Sequence, residues 1–147
     1  MPASTTPIYT VPTPVGSVLI TAANTSSQGG GTIGTDIFLA ATAGANGAFL
    51  REVQFIPTAT TPTNTTATVG RVFISTVTSG ATTSANTRLV GEIGLVATAA
   101  DNATTPVGPI SVPLNIMLGP NETVLVTNHA APAANTAWRA NVPLGNY

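Results

Sequence analysis

Chemistry in this sequence has few places to come from. The 147 residues hold one histidine, four arginines, five carboxylates, no lysine and no cysteine. His129 is the sole candidate for an imidazole base. A Ser–His–Asp arrangement needs that base beside a serine presented on a sharp elbow. No G-x-S-x-G occurs, and serines gather in polar stretches such as Thr25–Gln28. His129 opens the stretch HAAPAANT and reads as a loop or interface histidine. The acids Asp36, Glu52, Glu92, Asp101 and Glu122 are scattered. A glycosidase needs two of them across a cleft. A metal centre announces itself by H-x-x-x-H, a cysteine cluster or D-x-D-x-D-G, and none of these is present. The expectation is no catalytic residue, no cofactor-binding residue and no metal ligand, hence no enzyme.

Two further patterns have simple readings. Gly29, Gly31 and Gly34 match G-x-G-x-x-G, and Glu52 lies near the distance at which a ribose-binding acid would stand. That fingerprint needs a strand before it and a helix after it. Here a polar stretch precedes it and a strand follows, so the glycines read as a flexible loop. Sequons stand at Asn24, Asn64, Asn102 and Asn121, as chance supplies them in a chain so rich in Thr and Asn. The arginines are more informative. Arg51 and Arg71 lie within apolar strand segments, and a buried guanidinium must find a partner. Glu52 and Glu92 are the available carboxylates. The alternatives are a solvated sheet face and a subunit contact, where arginine is enriched.

The elements that would position these residues are strands. Thr and Val favour the pleated conformation, while Gly, Pro and Asn punctuate it. Eight strands are expected: Ser17–Ala22, Asp36–Ala41, Phe49–Ile56, Thr68–Ser75, Arg88–Ala97, Ile110–Ile116, Glu122–Asn128 and Ala137–Val142. The connection TAGANG, with Gly44, Asn46 and Gly47, reads as tight, and Leu118–Asn121 (LGPN) as a turn. Strands at this spacing predict an all-β fold: an antiparallel β-sandwich, jelly-roll or related Greek-key. The expected core is Leu19, Phe38, Phe55, Phe73, Ile93, Leu114, Val124 and Trp138. Val124 and Val126 should face one way and Leu125 the other. Leu89, Ile93 and Leu95 should share a face.

Residues 1–15 carry Pro2, Pro7, Pro12 and Pro14 and form an extended arm ahead of a sandwich over 16–147. Ile8, Tyr9 and Val11 are its apolar, partner-binding residues. The opening MPASTTPIYTVPTP has neither the basic nor the apolar region of a secretory signal, so none is expected. Only 6 % of residues are charged, against about 25 % in ordinary domains, and net charge is −1. Such a chain has little with which to grip a phosphate backbone, so nucleic acid is not an expected partner. No segment approaches a helical membrane span, so no membrane partner is expected either. Absence of cysteine fits synthesis in a reducing cytoplasm. So few charges protect a free surface poorly against association, which points to a protein whose surface expects neighbours.

Over Thr42–Tyr147 the chain resembles small virion-associated proteins encoded among the structural genes of tailed bacteriophages. The matching features are TAGANGAFLREVQF (Thr42–Phe55), ATVGRVFI (Ala67–Ile74), PLNIMLGPNETVLVT (Pro113–Thr127) and the segment from Trp138 to the Gly-x-Tyr end at Tyr147. Leu118-Gly119-Pro120-Asn121 departs from that family's usual Leu-Pro-x-Gly order. The resemblance implies a capsid decoration (cement) protein on the virion surface, made in the host cytoplasm. Its partner would be the major capsid protein, and it would itself be a homo-oligomer, a trimer or a dimer. A tail, baseplate or fibre component, with glycan binding at its tip, is the alternative.

Overall fold

In a computed structural model, the structure describes residues 11–12, 14–61, 63–100 and 108–147. Ile8 and Tyr9 of the expected arm lie outside these residues. Fourteen strands occur among them, in chain order β1 (Val11–Pro12), β2 (Gly16–Ile20), β3 (Gly31–Thr32), β4 (Phe38–Thr42), β5 (Ala48–Ala59), β6 (Thr63–Asn64) and β7 (Thr68–Ser75). These are followed by β8 (Ala81–Thr82), β9 (Thr87–Leu95), β10 (Ala99–Ala100), β11 (Ile110–Leu118), β12 (Thr123–Asn128), β13 (Thr136–Val142) and β14 (Leu144–Asn146). All eight expected strands are present, with ends shifted by up to three residues.

The long strands form two antiparallel sheets. In the first, β11 pairs with β5, β5 with β13 and β13 with β2. The short β14 and β1 extend the β13 and β2 rows: β14 pairs with β5, and Val11 and Pro12 of β1 pair with Asn146 and Gly145. In the second sheet the order is β4-β12-β7-β9. Consecutive long strands thus alternate between the sheets, except that β7 and β9 are neighbours in the second, which is the wiring of an eight-stranded jelly roll. The antiparallel sandwich expected from the sequence is the observed fold.

Between the sheets lies the main core. Ile20, Leu50, Val53, Phe55, Val72, Ile74, Val124, Val126, Trp138 and Val142 are fully or almost fully buried there. Fully burying an aliphatic or phenyl side chain contributes roughly 1.5–3 kcal/mol. Phe38, Phe55, Val124 and Trp138 stand where the sequence placed them. Ile93 and Leu114 are half-buried and pack on this core. Leu19 does not belong to it. Its strand neighbours Val18 and Ile20 point inward, so Leu19 points outward and is 39 % exposed. Phe73 is buried, but on the opposite face of its sheet, with Ile37 and Leu125. Val124 and Val126 do face the main core while Leu125 faces away.

Two bulges explain where simple alternation fails. Opposite β7, Val72 pairs with Gly91 and Phe73 with Leu89, so Val90 is an extra residue on β9. Beyond it Leu89 turns outward, away from Ile93 and Leu95, contrary to expectation. In β5 the inward positions run Ala48, Leu50, then Val53, Phe55 and Pro57. The parity changes between Leu50 and Val53, where the register also slips against β11. Arg51 and Glu52 consequently both stay out of the core.

At one edge the close approach of the sheets depends on a glycine. A Cβ on Gly16 would collide with the carbonyl oxygen of Ala40 and lie 2.8 Å from the Ala41 Cβ. The edge of β2 therefore rests directly on β4, closing one side of the sandwich. Gly16→Val forces those backbones apart and is expected to destabilise the fold by about 1–3 kcal/mol, read as a lower urea midpoint at unchanged slope. An unchanged midpoint would show that the two edges do not touch.

Candidate functional site

The candidate site emerges from how each outer sheet face is treated. On the β4-β12-β7-β9 sheet the outer face is covered by the chain itself. Gly29, at φ 79°, presses on it so closely that a Cβ would stand 2.6 Å from the Thr87 methyl and 3.4 Å from the Phe73 ring. Asp36 knots this cover: it accepts hydrogen bonds from the Thr32 N–H (2.6 Å) and from Asn24 Nδ2 (3.2 Å). Asn24 in turn donates to the Gly30 carbonyl at 3.0 Å. The G-x-G-x-x-G stretch is thus a folded cover and not a flexible loop. Its glycines serve contact and turn geometry on an apolar patch.

At the edge of this cover sit the chain's histidine, exposed, and one buried arginine. Arg71, 8 % exposed, pairs through Nε with Glu92 on the neighbouring strand. Its Nη1 donates to the Asn24 carbonyl (3.3 Å) and faces His129 Nδ1 at 3.2 Å. A guanidinium only donates, so Nδ1 accepts and the ring proton resides on Nε2. Of the two readings of Arg71, the solvated sheet face is replaced by a buried, paired one. His129 is exposed, and its backbone N–H donates to the Val69 carbonyl at 2.9 Å. Among the described residues no serine hydroxyl bonds to His129. Its side-chain partner among the described residues is an arginine, and the arrangement braces the cover.

A second ion pair ties the LGPN turn to β9. Pro120 and Asn121, the latter at φ 58°, hold the central positions that a type II turn demands. Asparagine tolerates the left-handed region that the more usual glycine would fill. Glu122 Oε2 accepts from the Gly119 N–H (2.8 Å) and from Arg88 Nη2 (3.3 Å), while Oε1 lies 3.0 Å from Arg88 Nη1. Partial burial pushes this carboxyl's pKa up. The hydrogen bonds from Arg88 and Gly119, with the Arg88 charge, outweigh that and hold it below the ordinary 4.5.

The outer face of the β11-β5-β13-β2 sheet is different: among the described residues, nothing folds over it. Leu19 and Met117 (68 % exposed) project from it, and Val15 (57 %) stands at its margin. Two shallow depressions mark the face. One, of about 530 Å³, is lined by Val15, Ser17, Arg51, Glu52, Gln54, Asn141 and Pro143. The other, of about 460 Å³, runs from Leu19 and Thr58 to Asn135 and Arg139. A short polar ladder divides them: Arg139 Nη1 donates to Ser17 Oγ (3.0 Å), which donates to Asn141 Oδ1 (2.9 Å). Gln54 Nε2 donates to Glu52 Oε1 at 2.9 Å.

Val11, the one expected partner-binding residue of the arm among those described, enters this sheet as the edge partner of Asn146. Sequence reasoning missed the open face itself. Its signal was present in Ser17, Leu19, Arg139 and Asn141, which share the outward parity of paired strands. Among the described residues no group of three or more metal-capable side chains occurs, and no helix is long and apolar enough to cross a membrane. The chain matches no protein-family model, no curated protein and no solved structure.

The lowered pKa of Glu122 fixes the sign of a pH effect. Its ion pair contributes stability above the unfolded value of 4.5 and loses that contribution as pH falls through the folded value. Glu122→Gln should unfold earlier than the parent in urea at pH 7, and the gap should close in acid. A gap independent of pH would assign the effect to packing.

Proposed function

We propose that this chain is a structural protein of a virion, a decoration (cement) protein on the outer surface of a tailed-phage capsid. In this reading the open face of the β11-β5-β13-β2 sheet turns toward the major capsid protein. One observation carries it: the chain spends a whole loop covering one outer sheet face, while among the described residues nothing covers the other, where Leu19 and Met117 are exposed. The scarcity of charge and the resemblance over Thr42–Tyr147 support the same conclusion. A jelly roll alone does not, because that fold serves capsids, lectins and enzymes alike.

The mechanism is addition of buried area across boundaries in the capsid lattice. A specific interface of standard size covers about 800 Å² per partner. Repeated at many equivalent positions, such contacts stiffen a shell without any single tight site. Copies gathered at local symmetry axes, as trimers or dimers, would multiply the effect. The arm adds a second attachment. Val11 and Pro12 form an edge row, and the preceding Ile8 and Tyr9 supply apolar groups for a neighbour. A glycan-binding tail or fibre tip is less well supported, since no aromatic ring lines either depression.

Particles propagated from the genome that encodes the chain test this directly. The chain should be recovered with purified virions at a fixed copy number and should rebind, saturably, to particles stripped of it. Removing residues 1–10 should lower that rebinding several-fold while the urea midpoint of the free protein stays put. Absence from the virion would overturn the reading, and full occupancy without the arm would remove the arm from it.

A further inference from the structure

Charges in this molecule are sorted by face. Among the described residues, Arg71 pairs with Glu92 and Arg88 with Glu122. Asp36 is consumed by hydrogen bonds within the covering loop. Among the described side chains, Arg51, Glu52 and Arg139 remain, with neither an ion pair nor a place in the covering loop. All three lie on the open sheet face: Arg51 and Glu52 line one depression and Arg139 the other. They are held in place. Arg139 is tethered to Ser17, Glu52 is braced by Gln54, and the parity change in β5 turns both Arg51 and Glu52 away from the core.

We infer that the occupant of this face is a different protein that presents a net acidic, partly apolar surface, with carboxylates set against Arg51 and Arg139. The inference rests on the proposal that the open face is the one a partner covers, and it adds that partner's chemistry. Charge arithmetic decides between the two kinds of occupant. Among the described side chains, two arginines and one glutamate give the face a net charge of +1. Two copies set face to face would therefore repel, and reciprocal Arg51–Glu52 pairs would still leave both Arg139 side chains unmatched. A partner with two carboxylates and a hydrogen-bond donor opposite Glu52 leaves nothing unmatched. The depressions on either side of the Arg139–Ser17–Asn141 ladder accept protruding side chains. Leu19 at one depression, Val15 at the other and Met117 elsewhere on the face supply apolar contact. Complementary charge here sets register and specificity more than raw affinity.

The test uses the full chain, isotopically labelled, and a short synthetic peptide alternating Glu and Val, with its Gln–Val counterpart as control. The Glu–Val peptide should shift the amide signals of Ser17, Leu19, Gln54 and Asn141 saturably. The Gln–Val peptide should bind roughly tenfold more weakly, the scale that two exposed ion pairs supply. The double variant R51Q/R139Q should erase that difference, and E52Q should tighten Glu–Val binding. Equal binding of both peptides, or shifts spread over the covered sheet, would overturn the inference. So would shifts of the same residues that grow with protein concentration alone, which identify a second copy as the occupant. Stripped virions separate this from the parent reading. Rebinding of R51Q/R139Q at parental strength would keep the virion assignment and sink the acidic partner. Selective binding of the Glu–Val peptide by a chain absent from virions would do the reverse.

Discussion

Two stacked sheets have four faces, and apolar side chains on any of them must be kept from water. Among the described residues, three are covered. The two inner faces cover each other, and the outer face of the β4-β12-β7-β9 sheet lies under residues 24–37. That is why β12 is buried at every position and β7 at all but its first two. Most other features follow from this allocation. Gly29 has no side chain because the cover must touch Phe73 and Thr87. Arg71 can be buried because Glu92, His129 and the Asn24 carbonyl surround its guanidinium. At the other end of β7, Ser75 and Thr87 bond to each other at 2.9 Å, and the Thr123 hydroxyl lies in donating range of the carbonyls of Ser75 (3.2 Å) and Val77 (2.9 Å). Hydroxyls near chain carbonyls satisfy these polar groups under the cover, whereas the buried Thr127 hydroxyl and the Asn128 amide have no hydrogen-bond partner among the described residues.

The sheet edges are managed with equal economy. A bare edge invites pairing with another chain. The edge strand β11 carries Pro113 and, at φ 52°, Asn115, both of which interrupt a continuous ladder. The edge strand β9 carries the Val90 bulge with Arg88 and Glu92 on either side of it. The β2 row continues into Val11–Pro12, where proline withholds a donor. Such edges disfavour uncontrolled strand addition.

Much of the fold was legible because strand periodicity and turn chemistry agree. Alternation in Thr123–Asn128 placed Val124 and Val126 opposite Leu125, and Gly44, Asn46 and Gly47 marked a turn that closes with a 3.0 Å bond from the Gly47 N–H to the Gly44 carbonyl. Leu19 and Leu89 were misassigned for different reasons. Leu19 obeys alternation, but hydrophobicity alone gave no sign that its face is open. Leu89 lies past a bulge, and bulges have no local signature in a run such as RLVGEIGLV. The Arg71–Glu92 pair joins strands 21 positions apart in sequence, so it was available as chemistry but not as geometry. The convergence of the TAGANG turn with the chain's last residues was likewise invisible. Asn146 Oδ1 accepts from the Gly44 N–H at 3.0 Å, and the Tyr147 N–H donates to the Gly47 carbonyl at 3.3 Å.

One physical claim carries the account: the bare face of the β11-β5-β13-β2 sheet is covered by another protein when the chain works. Hydroxyl-radical footprinting of the free protein against the protein on its particle reads this directly. Leu19 and Met117 should lose their reactivity on the particle while Val96, exposed but off that face, keeps its own. Equal labelling of Leu19 and Met117 in both states would contradict the claim.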